Sequence, residues 1–320
     1  MPRPATPLVD CHTHTLFSDG EPTFEQNVRA AAAAGCAVLV STDHLTLPWS
    51  MDPAAEVQVR VDQLAEHRAA FEAARELAAR EAPGLELVYG FECDWYPGCE
   101  GNVGRWAAGA VVRLGSVHWI GDAGDVHEGA PVVDADGTVL PAACDGSRAG
   151  EVATPEVAGR PGSGCGWIDD SDDPHVWEEL GPDEVWRRYV DAWCSACESP
   201  LAFDTMAHPD LAMRFSNEGF APTMDLAPLW DQMASCARDT GRRVEVSTAG
   251  LRKSVGAYYP APGLLGRFAH AGVPITVGSD AHRSCDVCWG IRDAYRYAAA
   301  AGYRSVEVPH ADGDWESVAL

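Results

Sequence analysis

The chain is short of positive charge. Its 23 lysines and arginines stand against 48 aspartates and glutamates, a formal net charge of −25 over 320 residues. That balance excludes wrapping of long nucleic acid or docking on an anionic membrane, both of which need a basic footprint. A small anionic substrate stays open, because bound cations invert the sign of a site locally. Long apolar runs are missing too: none approaches the ~18 residues of a membrane span. Residues Met1 to Pro7 carry no apolar stretch of the kind a secretory signal needs. The 11 cysteines are odd in number and scattered, which predicts reduced thiols in a cytoplasmic protein rather than a disulfide framework. There is no internal repeat, and no motif fixes an oligomeric state.

What is present is an alternation of short apolar strands with helical stretches. Strands are predicted at Leu8–His12, Cys36–Ser41, Leu85–Gly90, Val111–Val117, Leu201–Ala207, Val244–Ser247 and Pro274–Gly278, with a weaker one at Ser305–Val308. Helices are predicted at Phe24–Ala34, closed by Gly35, and at Pro53–Arg80, Pro182–Ala196, Ala227–Thr240, Pro262–Ala271 and Ile291–Ala300. Repeated β-α units predict an α/β fold with a parallel sheet and helices outside. From about 121 to 173 the rhythm stops in a stretch rich in Gly, Pro, Asp, Ser and Ala. It predicts a long loop insertion within a single domain spanning 1–320.

The chemistry-bearing residues recur at one place, the C-terminal end of each strand. His12-Thr13-His14 follows the first strand, and with a side-chain period of two both imidazoles face one way. Ser18-Asp19-Gly20 comes next. Asp43-His44 follows the second strand, Glu92 the third, His118 the fourth, His208 the fifth, and Asp280 with His282 the seventh. In a parallel barrel all strand C-termini open on one face, where active sites sit. So many histidines and carboxylates on one rim would be frustrated without cations. The nine candidates His12, His14, Asp19, His44, Glu92, His118, His208, Asp280 and His282 exceed one tetrahedral site. They fit two or three divalent ions (Zn, Mn or Fe), with Glu92 as the natural bridge. Metals ~3.5–4 Å apart generate a hydroxide near neutral pH and suit phosphate-ester hydrolysis.

In their order, His12-x-His14 with Ser18-Asp19-Gly20, Thr42-Asp43-His44, Glu92, Ser116-Val117-His118, His208-Pro209-Asp210 and Gly278-Ser279-Asp280-Ala281-His282 resemble the PHP (polymerase and histidinol phosphatase) superfamily. The resemblance covers nearly the whole chain apart from the insertion. It implies a distorted (β/α)7 TIM-like barrel and a trinuclear centre. In that centre His12, His14, Glu92 and Asp280 hold the first metal, Glu92, His118 and His208 the second, and Asp19, His44 and His282 the third.

Ser247-Thr248-Ala249-Gly250-Leu251-Arg252 and Tyr258-Tyr259-Pro260 are similar to segments of the histidinol-phosphatase subfamily, with Ser247 where that subfamily usually has asparagine. The implied activity is metal-dependent hydrolysis of L-histidinol phosphate in histidine biosynthesis. Glu92 and Asp280 would be catalytic, and Arg214 and Arg252 would bind the phosphate, whose oxygens suit guanidinium forks. An acidic residue for the substrate amine is expected, with Asp94 and Asp210 as candidates. The implied partner is a small phosphate monoester. Two other readings stay open: a PHP phosphoesterase acting on nucleotides or short oligonucleotides, and an inactive PHP structural module, which the intact ligand set disfavours.

Three further signals are weaker. The pairs Cys194/Cys197 and Cys285/Cys288 could together make a Cys₄ zinc site, but their spacing favours incidental thiols. Trp95-Tyr96-Pro97, flanked by Cys93 and Cys99, suits packing more than a substrate pocket. His67, His127, His175, His270 and His310 lie away from strand ends and are expected on the surface.

Overall fold

The computed structural model describes residues 6–45, 57–96, 98–121, 132–133, 139–140, 166–170, 172 and 174–320. The first half of the chain gives β1 (Leu8–Asp10), α1 (Phe24–Ala34), β2 (Cys36–Ser41), β3 (His44–Leu45), α2 (Leu64–Glu81), β4 (Glu86–Asp94), α3 (Glu100–Trp106), β5 (Val112–Ser116) and β6 (Trp119–Ile120). Two short pieces, β7 (Val132–Val133) and β8 (Val139–Leu140), precede β9 (Gly166–Trp167), α4 (His175–Leu180) and α5 (Pro182–Glu198). The second half gives β10 (Thr205–Met206), α6 (Ala227–Thr240), β11 (Arg243–Ser247), α7 (Pro262–Ala271), β12 (Ile275–Gly278), α8 (Ile291–Ala300), β13 (Ser305–Pro309) and β14 (Trp315–Ala319).

Seven strands stand side by side in the order β1-β2-β4-β5-β10-β11-β12, all parallel. The last returns to the first: Cys11 N–H donates to Val277 O at 2.9 Å, and Thr13 bridges Ala281. The sheet is thus nearly closed into a distorted seven-stranded α/β barrel, as the resemblance implies. Its strands are buried along their length, as parallel strands covered by helices must be.

The helices follow from their residues. Thr23 caps α1, accepting from Gln26 N–H while the Gln26 side chain accepts from Thr23 N–H, and Gly35 ends the helix at φ 75°. Helix α5 buries Val185, Trp186, Tyr189, Val190 and Trp193 on one face. Each such side chain contributes about 1.5–3 kcal/mol on burial.

Several boundaries differ from the sequence expectation. Strand β4 runs on to Asp94, so Glu92 lies inside the strand rather than after it. The expected strand at Leu201–Ala207 shrinks to two residues, and Ala202 ahead of it turns at φ 52°. Helix α2 starts at Leu64 after a turn of 3₁₀-helix at Val61–Gln63, and residues 53–56 of the expected helix lie outside the described residues. The insertion expected at 121–173 lies mostly outside them as well. Its described C-terminal end is ordered against the barrel: Trp119 pairs with Trp167 and Ile120 with Gly166, antiparallel.

Candidate metal centre

Each rim residue is delivered by a strand end and then locked. Gly20 permits the Asp19 turn to fold onto the strand end, because a Cβ there would meet Thr15 N at 2.7 Å and His14 C at 2.8 Å. Gly278 does the same for the last strand, where a Cβ would lie 2.0 Å from Glu245 Oε1. Two of the expected ligands sit at left-handed backbone angles, His208 at φ 22° and Asp280 at φ 51°. Such conformations cost of order 1–3 kcal/mol and cluster at functional sites.

Glu92 is the hub. Its Oε2 lies 3.0 Å from His12 Nε2, 3.4 Å from His14 Nε2 and 3.4 Å from His44 Nδ1. Its Oε1 lies 2.9 Å from His208 Nε2 and 3.7 Å from His118 Nε2. Asp280 Oδ1 lies 3.3 Å from His14 Nε2, 3.5 Å from His282 Nδ1 and 3.7 Å from His12 Nε2. Asp19 faces His282 at 3.1 Å, His14 at 3.5 Å and His44 at 3.7 Å.

The ligand atoms fall into overlapping groups that could each hold a cation: His12, His14 and Asp280; Glu92, His118 and His208; and His14, Asp19, His44 and His282. All nine expected residues therefore meet on one rim. A fourth group, His44, Asp94 and His118, adds a carboxylate that the sequence suggested for the amine instead. Asp94 is spent on imidazoles, bonded to His44 Nδ1 at 3.2 Å and to His118 Nδ1.

Within the rim, histidines and acids charge one another. Burial opposes charge on Glu92, but His12 and His44 hold it well below the usual carboxylate range. Burial likewise opposes protonation of His12, and Glu245, Glu92 and Asp280 more than offset it, raising His12 well above normal. His118, also buried, is raised to about 9 by Asp94 and then Asp169. The donor set fits divalent metals. Imidazoles and carboxylates converge, His12 Nε2 faces His14 Nε2 at 3.0 Å, and the buried His14 Nδ1 and His208 Nδ1 have no hydrogen-bond partner among the described residues. Two imidazole nitrogens at that separation need a proton or a cation between them.

Residues behind the rim complete it, and sequence reasoning missed several. Glu245 Oε1 lies 3.0 Å from His12 Nδ1, and its Oε2 accepts from His208 N–H at 2.9 Å. Asp10 accepts from Ser279 N–H at 2.7 Å, Ser279 Oγ at 2.5 Å and Cys288 N–H at 2.7 Å, anchoring the loop that carries Asp280. Asp43 turns behind the rim. It accepts from Thr15 N–H at 2.5 Å, Thr15 Oγ1 at 2.8 Å and Ser18 Oγ at 2.7 Å, and pairs with His67 at 2.9 Å. His67 is thus not a surface residue: it is fully buried and bonded to Tyr89 Oη at 2.8 Å on its other side. His175 is buried as well, packed over Gly166, where an added Cβ would meet its ring at 2.9 Å.

The two expected arginines differ. Arg252 Nη2 donates to the carbonyls of Ser279 at 2.6 Å and Asp280 at 3.0 Å, and Nη1 reaches Thr248 Oγ1 at 3.3 Å. It props the Asp280 loop. Arg214 Nη1 donates to Ser254 Oγ at 2.8 Å, which leaves Nε and Nη2 without hydrogen bonds among the described residues. Asp210, the other amine candidate, is fully buried and accepts from Ala261 N–H at 2.7 Å. Cys194 and Cys197 gather with Cys236, whereas Cys288 packs by Cys36, and no cysteine joins a metal-competent group among the described residues. Trp95 and Tyr96 are core residues. Among the described residues no helix is long and apolar enough to cross a membrane.

No family model matches the chain. A probable histidinol-phosphatase of Deinococcus radiodurans is 29% identical over 307 residues, covering 95% of this chain and 98% of that protein. A probable histidinol-phosphatase of Thermotoga maritima is 30% identical over 128 residues, covering 37% of this chain and 49% of that protein. Among solved structures, a candidate histidinol phosphatase of Listeria monocytogenes superposes with a TM-score of 0.66 at 17% identity, covering 89% of this chain and 99% of its own. Histidinol phosphate phosphatase of Lactococcus lactis, complexed with zinc, L-histidinol and phosphate, superposes at 0.65 with 14% identity, covering 96% and 98%. Over nearly its whole length the chain is similar in sequence to a probable histidinol-phosphatase, and its fold is that of the two solved structures.

Proposed function

We propose that this single barrel domain is a metal-dependent phosphomonoesterase that hydrolyses L-histidinol phosphate to L-histidinol and phosphate in histidine biosynthesis. The observation that carries the reading is Glu92, whose two oxygens are divided between two groups of imidazoles, Oε2 toward His12 and His14 and Oε1 toward His208 and His118. A carboxylate so placed could serve two cation positions at once. The full-length likeness to a probable histidinol-phosphatase supports the substrate.

The residues would hold two or three divalent ions: His12, His14, Glu92 and Asp280 the first, Glu92, His118 and His208 the second, and Asp19, His44 and His282 the third. Zinc, manganese and iron all suit imidazole-carboxylate donor sets. Such ions supply Lewis acidity toward phosphoryl oxygens and lower the pKa of water toward neutrality.

The chain's own contributions follow from the geometry. Glu245 fixes the His12 ring through Nδ1, so that Nε2 faces the rim. Asp280 Oδ1, at the mouth among three imidazoles, is placed to hold a proton during departure of the alcohol. Arg214, whose Nη1 also lies 3.5 Å from Glu218 and whose Nε and Nη2 make no hydrogen bond among the described residues, would bind phosphate. Arg252 acts on the phosphate indirectly, by holding the Asp280 loop through its carbonyls.

Chelation followed by metal return tests the assignment. Activity on L-histidinol phosphate should vanish with the metal and come back with zinc or manganese. Glu92→Ala should lower turnover on the order of 10³-fold, and metal analysis should show fewer ions bound per chain. Full activity in a metal-stripped Glu92→Ala protein would contradict it.

A further inference from the structure

Helices α5 and α6 bring three thiols together away from the metal centre. Cys194 and Cys197 stand three residues apart in α5, so their side chains share one helix face, and both are buried. Cys236 comes from α6 and is half-buried, so solvent reaches it more readily than the other two. Its Sγ lies 3.5 Å from the Cys194 carbonyl oxygen, and the Cys194 and Cys197 thiols each hydrogen-bond to that sulfur. The surroundings hold the helices in this relation. Arg242, the residue before β11, donates Nε–H to Cys197 O at 2.9 Å, and its Nη2 lies 3.4 Å from Ser199 O. Thr240 Oγ1 donates to Cys236 O at 2.7 Å. The thiols thus meet where β11 begins, whereas the rim gathers at the other ends of the strands.

The arrangement does not suit a cation: the three sulfurs are not among the metal-competent groups of the described residues. It suits thiol chemistry. Hydrogen bonds from Cys194 and then Cys197 favour a thiolate on Cys236 and draw it below the usual thiol range. Cys194 is held protonated by its bond to Cys236, and Cys197 by burial. An accessible thiolate over a buried thiol supplies both a nucleophile and a resolving partner.

We propose that Cys236 is a hydroperoxide-reactive thiol that Cys194 resolves into a disulfide joining α5 to α6. The Cys236 thiolate attacks one oxygen of a hydroperoxide. The O–O bond breaks, an alcohol (water, from hydrogen peroxide) leaves after taking a proton from solvent, and Cys236 becomes a sulfenic acid. The Cys194 sulfur then attacks the sulfenic sulfur. The S–S bond forms, the S–O bond breaks, and the hydroxyl departs as water with the Cys194 proton. Two thiols are oxidised, and the peroxide is reduced. Cys194 is the partner because the Cys236 sulfur rests on the Cys194 peptide group.

The test uses the metal-loaded full chain carrying Cys285→Ser, which removes an exposed thiol. It is compared with the same protein carrying in addition Cys236→Ser, Cys194→Ser or Cys197→Ser. Each is reduced, freed of reductant and treated with hydrogen peroxide. Disulfides are read by non-reducing peptide mapping, and sulfenic acids by labelling with dimedone. The starting protein and Cys197→Ser should form the Cys194–Cys236 bond, reversed by dithiothreitol. Cys194→Ser should lose that bond and gain dimedone on Cys236, and Cys236→Ser should lose both. The oxidised starting protein should unfold at a higher urea midpoint than the reduced one, a shift absent from Cys236→Ser. Mapping of the starting protein needs no substitution among the three thiols, so a poorly folded variant does not shield the proposal. No bond at Cys236, or a bond to Cys197 in place of Cys194, would overturn it.

Discussion

Glu245 sits in a strand whose neighbours Val244 and Val246 are fully buried, and it is itself 1% exposed. A carboxylate in a parallel strand covered on both faces must have partners, and here they are His12 and the His208 backbone. That is a signal the sequence does carry, in Val244-Glu245-Val246, without naming the partners. Glu245→Gln should weaken metal binding about 10–100-fold, read by competition with a chromogenic chelator, while leaving the fold intact by circular dichroism. Gly278→Ala acts on the same spot from the other side, since its Cβ would collide with Glu245 Oε1 and with His12 Cβ at 2.6 Å. It should destabilise the protein by about 1–3 kcal/mol in urea unfolding and lower activity together with metal content.

Among the elements, α1 is readable to the residue, because Thr23, Gln26 and Gly35 write both of its ends. The short helices α3 and α4, of seven and six residues, are not, since periodicity needs more turns than they have. Helix α2 shows what pattern reading overlooks. Its buried face is His67, Phe71, Ala74, Leu77 and Ala78, a helical stripe in which histidine occupies a core position. Only the structure shows the reason: His67 joins Asp43 to Tyr89, and Asp43 in turn holds Thr15 and Ser18 beside Asp19. His67→Ala leaves a buried carboxylate short of a partner and should cost about 3–5 kcal/mol. It should also loosen the Asp19 position, so that metal analysis shows partial loss while the His118–His208 position stays filled.

For the whole molecule, the rim was legible because a parallel barrel gathers every strand end on one face. Six strand ends far apart in sequence could thus be read as one site. What that logic could not supply was the return of the insertion's end to the His118 strand end, through a β6–β9 pairing that no periodicity announces. The rim also governs pH behaviour. Without metal, His12 and His44 are raised well above 6.5 and His118 to about 9, so their contribution to stability is full below pH 6.5 and is lost as pH rises through those values. Glu92 and Asp280 are lowered, so their contribution is present above the ordinary carboxylate range and is lost only in acid. The metal-free protein should therefore melt at falling temperature between pH 6.5 and 9. The metal-loaded protein, whose imidazoles serve as neutral ligands, should hold or gain over the same span. Scanning calorimetry with and without chelator distinguishes the two.

Metal-dependent hydrolysis selective for an amino-alcohol phosphate is read from kcat/KM of the metal-loaded protein across a panel of phosphate monoesters. L-histidinol phosphate should exceed nucleoside 5′-monophosphates on the order of 100-fold. Nucleotides turned over as well as L-histidinol phosphate, or better, would contradict it.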